Sequence, residues 1–191
     1  MKQIATRLVP AETRRPGASD QERKTKNKNQ ELLMRIAILT ISDSVSRGER
    51  EDRSGPLLAD RCRELGWTVT STLLVSDDLA TLRSQMSAIA DSGCVDILLT
   101  TGGTGLGPRD RTPEVTLEIA HRAIPGIAEE MRRRGAEKTP TAVLSRGVAA
   151  IRNRTILINL PGSPKGACES LDAIAHLLGH ALEVLHGARH D

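Results

Sequence analysis

From residue 35 onward the chain switches between two hydrophobic rhythms. RIAILTI (35–41) is an unbroken apolar run of strand length, and SGPLLADRCRELG (54–66) has apolar positions at helical spacing. Ser54 reads as the N-cap of that helix and Gly66 as its C-terminal stop. WTVTSTLLV (67–75) is rich in β-branched residues and reads as a strand. In DLATLRSQMSAIADSG (78–93), Leu79, Leu82, Met86 and Ile89 fall on one helical face, closed by Gly93. VDILLTT (95–101) predicts a third strand, and TPEVTLEIA (112–120) a helix with Thr112 at the cap and Pro113 in the first turn. GIAEEMRRRG (126–135) predicts a short helix, AVLSRGVAAI (142–151) fits a strand or a helical turn, and TILINL (155–160) is a strand. The last helix runs from about Pro164 to Leu185, with Leu171, Ile174, Leu178, Leu182 and Leu185 in register.

Strands and helices in this order predict an α/β fold: a three-layer αβα arrangement with a mostly parallel sheet and helices on both faces. Residues 1–33 lack hydrophobic periodicity and are expected to form a flexible basic tail before a folded domain over 34–191. No apolar stretch follows the first basic residues as a secretory signal requires, and none approaches the ~18 residues of a membrane span.

Charge and composition narrow the function. Residues 1–30 hold eight basic and three acidic residues, a balance of +5 that leaves −2 for the remainder of a chain whose net charge is +3. A nucleic-acid binder is expected to carry its basic patch on the folded body, so that class is disfavoured. The three cysteines, Cys62, Cys94 and Cys168, have no C-x-x-C spacing. They point away from a disulfide framework or a zinc site and towards a reducing cytoplasm. Trp67 is the sole aromatic residue, so a ring-shaped ligand has at most one stacking partner per chain.

In a parallel sheet, ligands bind at the carboxyl ends of the strands. Every such end here leads into a small, polar or glycine-bearing loop: Ser42-Asp43-Ser44, Ser76-Asp77-Asp78, Thr101-Gly102-Gly103-Thr104-Gly105 and Pro161-Gly162-Ser163-Pro164-Lys165. The glycine loop fails both nucleotide fingerprints. It lacks the third glycine of G-x-G-x-x-G, and Pro108 stands where a P-loop has lysine. What remains is a loop whose backbone N–H groups can approach an anion, or a tight strand-to-helix turn. Asp110 follows it closely, and Asp77 ends the neighbouring strand. Each fits a helix cap, but two carboxylates at one phosphate-suited edge also fit Mg²⁺-assisted phosphoryl or nucleotidyl transfer. Lys165, at a helix start, fits an anion contact or a solvated surface position. His176 and His180, four residues apart on the last helix, read as solvated side chains.

The segments AILTISDSVSRGEREDRSGP, TTGGTGLGPRDRTPE, LSR (144–146) and INLPGSPK, in this order, resemble the molybdopterin adenylyltransferases of molybdenum-cofactor biosynthesis, the MogA/MoaB type. They are similar also to the G domains of gephyrin and its plant counterpart. The resemblance covers about residues 35–186. It implies that molybdopterin and Mg-ATP give adenylylated molybdopterin and pyrophosphate, ahead of metal insertion. It implies Asp77 and Asp110 as the acidic pair for Mg²⁺ and catalysis, and Ser145 as the active-site serine. Ser42, Asp43, Thr101, Gly102, Gly103, Thr104, Gly105, Arg146, Pro161, Gly162, Ser163 and Lys165 would bind substrate or nucleotide. The resemblance further implies a cytoplasmic homo-oligomer, a trimer or higher, and a molybdenum-insertion partner enzyme. Arg111 stands where the family commonly has an apolar residue, and Gly166 where alanine is frequent. The competing readings are a non-catalytic molybdopterin-binding paralogue and a CinA-like nucleotide phosphohydrolase, the latter disfavoured by a short chain without an added domain.

Overall fold

Alternate residues of strand β1 (Arg35–Ile41) part to opposite sides of the sheet, and that parity sorts the core into two layers. The computed structural model describes residues 34–187; the tail expected over residues 1–33 lies outside the described residues. After β1 come α1 (Asp43–Ser46), α2 (Ser54–Glu64), β2 (Thr68–Val75), α3 (Leu79–Asp91), β3 (Ile97–Thr101) and α4 (Thr112–Ile119). They are followed by β4 (Arg122–Ala123), α5 (Pro125–Lys138), β5 (Ala149–Arg152), β6 (Thr155–Leu160) and α6 (Pro164–Leu185). The six strands form one sheet in the order β2-β1-β3-β6-β5-β4. β2, β1, β3 and β6 pair in parallel, while β5 and β4 extend the edge antiparallel.

Ile36 and Ile38 of β1, Ile97 and Leu99 of β3, and Ile156 and Ile158 of β6 pack with α2, α5 and α6 on one face. Ala37, Leu39, Ile41, Leu98 and Leu157 pack with α3 and α4 on the other. Each buried aliphatic side chain of this size contributes roughly 1.5–3 kcal/mol. The expected αβα layering is therefore observed. The helix predicted from Pro164 to Leu185 has those bounds. Ser163 caps it by accepting from Gly166 N–H (3.2 Å), and Leu171, Ile174, Leu178 and Leu182 are fully buried. Gly66 (φ +80°) ends α2 in a Schellman motif, with Gly66 N–H on Arg63 O (2.9 Å) and Trp67 N–H on Cys62 O (3.0 Å).

Other expectations shift. Segment 142–151 divides into a 3₁₀ turn (Pro140–Leu144), an irregular stretch and β5. β5 returns beside β6 through a two-residue loop that Asn153 enters at φ +51°. α5 outruns its predicted bounds, beginning at Pro125, and the short α1 and β4 were not signalled by periodicity. Neither Ser54 nor Thr112 is an N-cap: Arg53 and Arg111 occupy those positions. Asp52 Oδ1 accepts from Ser54 and Gly55 N–H instead, both at 3.0 Å. Trp67 is packed in the core, so it is not available to stack on a ligand. Cys62 is a buried hydrophobe whose thiol is pushed up to about 12 by burial, in keeping with an inert role.

At the opposite edge of the sheet from the glycine loop, Asp96 accepts from Arg35 N–H (2.8 Å), Nε (3.1 Å) and Nη2 (2.8 Å). Burial pushes the Asp96 carboxyl up, but the Arg35 hydrogen bonds and charge outweigh that and hold it below the usual carboxylate range. Its folded pKa is thus depressed, so the stabilisation exists above the unfolded value near pH ~4 and is lost as pH falls through the folded one. Asp96→Asn is expected to cost about 1–3 kcal/mol at neutral pH. Thermal melts at a series of pH values should show that gap closing in acid, whereas a gap constant down to the acid transition would assign the loss to packing alone.

Candidate active site

The loops after β1, β2, β3 and β6 meet at one edge, and glycine is what lets them meet. A Cβ on Gly102 (φ +107°) would lie 2.2 Å from the Ile41 carbonyl oxygen, and one on Gly162 would lie 3.2 Å from the Gly102 Cα. The neighbouring Gly103 (φ +63°) would drive a Cβ to 2.3 Å from Thr112 Oγ1. Side chains lock the same crossing. Thr101 Oγ1 donates to Pro161 O (2.7 Å), Thr112 Oγ1 to Gly102 O (2.9 Å) and Ser54 Oγ to Gly162 O (2.8 Å). The hydroxyls of Ser54 and Thr112, expected as caps, thus tie helix starts to the loops of the site.

Asp77 and Asp110 come together here. Asp78, not Asp77, caps α3 by accepting from Thr81 N–H (2.8 Å), which leaves the Asp77 carboxylate to face the β1 loop. There, Asp43 N–H donates to Asp77 Oδ2 and Asp77 N–H donates to Asp43 Oδ1, each at 2.9 Å. The second Asp43 oxygen, Oδ2, has no hydrogen-bond donor but forms ion pairs with Arg109 and, at 3.7 Å, Arg47. The Asp110 carboxylate folds back into its own loop and accepts from Gly107 N–H (2.8 Å). A Cβ on Gly105 or Gly107 would lie 2.9 or 2.7 Å from Asp110 Oδ2, so these glycines make room for a carboxylate. Burial and then the nearby Asp110 charge push the Asp77 carboxyl above its ordinary value, against a smaller opposing pull from Arg47. Two carboxylates at one polar edge are oxygen donors of the kind a hard divalent cation such as Mg²⁺ takes. Among the described residues no group of three or more His, Cys, Asp or Glu converges.

A cavity of about 580 Å³ opens beside Gly103, Thr104, Gly105 and Asp110, and reaches Ser145, Pro161, Gly162, Ser163 and Lys165. A second, of about 540 Å³, lies across Gly102 and Gly162, lined by Thr40, Ser42, Ser44, Arg50, Arg53 and Ser54. Both fall in the range of small-molecule sites. The buried Thr40 hydroxyl has no hydrogen-bond partner among the described residues and borders the second cavity. Lys165 is exposed on the first. Of the expected binding residues, Ser42 caps α1 by accepting from Val45 N–H (3.4 Å), and Asp43 and Arg146 have their side chains committed to protein partners. Sequence reasoning missed Arg132, whose Nη1 donates to Gly147 O (3.0 Å) and holds the segment carrying Ser145 against the first cavity. It also missed Asn159, which is buried and donates through Nδ2 to Thr100 (3.0 Å) and Thr116 (2.8 Å). A polar residue inside the apolar run TILINL was the available signal for it.

With this geometry in hand, residues 37–180 match the family described as "Probable molybdopterin binding domain". The chain belongs to that family. It is 36% identical over 156 residues to the molybdopterin adenylyltransferase of Escherichia coli K12, spanning 81% of this chain and 79% of that protein. It is 38% identical to a molybdenum cofactor biosynthesis bifunctional protein of Synechococcus elongatus, but spans only 48% of that longer chain. The crystal structure of the molybdopterin biosynthesis enzyme MoaB from Thermus thermophilus superposes with a TM-score of 0.76 at 47% identity, covering 81% of this chain and 97% of that one. The family thus belongs to molybdenum cofactor biosynthesis. Among the described residues no helix is long and apolar enough to cross a membrane.

The Gly102 crossing yields a direct test. Gly102→Ala is expected to destabilise the fold by at least about 2 kcal/mol, because it combines a strained φ with a backbone clash. Chemical denaturation should show the loss, and unchanged stability would mean the loops are not pressed together as described.

Proposed function

We propose that this protein adenylylates molybdopterin with Mg-ATP, releasing pyrophosphate, as a soluble cytoplasmic step that precedes metal insertion. The observation that carries the reading is the pairing of Asp77 with Asp110 at a glycine loop on the carboxyl edge of a parallel sheet. Two cavities that meet at Gly162 suit a reaction with two substrates. In this reading the terminal phosphate of molybdopterin attacks the α-phosphorus of ATP, and pyrophosphate leaves. Mg²⁺, when bound, offsets the charge on the triphosphate during in-line attack. Asp77 and Asp110 would hold it, and the Asp43 backbone N–H fixes the direction of the Asp77 carboxylate. Amides of the glycine loop and Lys165 neutralise the remaining phosphate charge, and the Ser145 hydroxyl orients the pterin substrate. With Trp67 buried, pterin recognition rests on hydrogen bonds rather than stacking.

The E. coli relative carries the name of this activity, and the shared motifs span the folded chain. Assembly as a trimer or higher, with hand-over to a metal-insertion enzyme, completes the proposal. Leu73 and Leu74, exposed on the edge strand β2, suit burial by a neighbouring subunit.

Wild-type protein mixed with molybdopterin and Mg-ATP is expected to release pyrophosphate and yield the adenylylated pterin, read by chromatography. Asp110→Asn and Asp77→Asn should each lower the rate by about 10²-fold or more while leaving the melting temperature close to wild type. Absence of product from the wild type, or an undiminished rate in Asp110→Asn, overturns the assignment.

A further inference from the structure

Arg146 ends the Leu144-Ser145-Arg146 segment, yet its side chain is not among those lining the 580 Å³ cavity. Its guanidinium is taken up by the loop that carries Asp110. Nε donates to Gly105 O (2.7 Å), Nη2 donates to Asp110 O, and Nη1 pairs with Glu114 in the first turn of α4. Its backbone N–H donates to Thr104 O (3.0 Å). One residue therefore holds both ends of the segment between Gly105 and Asp110.

Apart from the ion pair of the exposed Arg109 side chain with Asp43, that segment has little else to hold it. Residues 105–109 are exposed, and Leu106 at its tip is 67% exposed. Gly107 N–H donates to Asp110 Oδ2 and Asp110 N–H to Gly107 O (3.0 Å), but both bonds are internal to the loop. They close the loop on itself without tying it to the rest of the fold, so they last only while the loop keeps its shape. Thr112 N–H on Gly103 O (3.1 Å) anchors only the far side of the loop. The Arg146 fork reaches across from a different part of the chain, itself braced by Arg132 on Ser145 O and Gly147 O (3.4 and 3.0 Å).

We propose that Arg146 is a positioning residue. It closes the 105–110 loop so that the Asp110 carboxylate stands at the cavity, and it does not bind ligand through its charge. The kinetic part of this inference rests on the adenylyl-transfer reading; the loop part stands without it. A planar fork with fixed donors can bridge two carbonyls and a carboxylate at once, whereas the single ammonium of lysine cannot. Geometry, not charge, is therefore the requirement, and this separates the proposal from a cation that contacts substrate phosphate.

The test uses the full chain with Arg146→Lys, which keeps the charge and the aliphatic stem, alongside Arg146→Ala. Hydrogen exchange read by mass spectrometry should speed up about tenfold or more at the amides of Gly107, Asp110 and Thr112 in both variants, with the β1 and α6 amides unchanged. In steady-state assays kcat should fall about 10²-fold, since a displacement of about 1 Å suffices for that, while KM for either substrate stays within about twofold. Wild-type exchange in the Lys variant overturns the proposal. So does a KM that rises at constant kcat, which would mark a ligand contact. If the wild type makes no product, the adenylyl-transfer reading fails, and the exchange measurement alone decides the role of Arg146.

Discussion

The site depends on one steric constraint: three backbone segments cross at the carboxyl edge with no room for a side chain between them. Gly102 lies against the Ile41 carbonyl, and Gly162 lies against Gly102. The ends of β1, β3 and β6 are thereby drawn into contact beyond their last ladder bonds. This crossing divides the edge into two cavities rather than one open trough. It also fixes where the chain after Gly103 must turn, and so where Asp110 can stand.

Hydrogen bonds around the crossing show how helix starts are recruited to it. Serine and threonine at a helix N-terminus ordinarily satisfy the free N–H groups of the first turn. Here Asp52 takes that duty for α2, and the Ser54 hydroxyl is released to bond Gly162 O. Thr112 similarly turns its hydroxyl to Gly102 O. Loop and helix become one unit, so a movement of the glycine loop would strain two helices. That coupling suits a site in which two carboxylates must keep their separation against mutual repulsion.

Much of this was legible in the sequence because its signals are local. Apolar runs such as RIAILTI and the heptad-like spacing of α6 report burial directly, and the convergence of polar loops follows from strand order. Asp77 and Asp110 were picked out by their places at strand and loop ends, and they are neighbours in space. The purpose of the individual glycines was not legible. Gly102 and Gly103 answer to partners 61 residues upstream and nine residues downstream, at Ile41 and Thr112, while Gly105 and Gly107 make way for Asp110. A sequence motif displays glycine but not the atom that excludes a side chain. The protein partners of Arg146 were hidden for the same reason: the carbonyls it meets leave no residue-type signature.

The distribution of charge follows from that arrangement. Arg47 pairs with Glu49, Arg109 with Asp43, and Arg146 with Glu114, so these three arginines near the acidic pair are matched within the protein. Such matching leaves the two carboxylates uncancelled: burial first, and then the nearby Asp110 charge, keep the Asp77 carboxyl raised, and Arg47 opposes that only in part. In the proposed reaction, residual negative charge at the glycine loop would disfavour a bare triphosphate and favour one that arrives with its cation. Under that proposal backbone amides and Lys165 would serve the phosphates, because amides carry partial positive charge without repelling a metal. A body with a net charge of −2 can in this way be selective for polyphosphate with its metal rather than for polyanions in general.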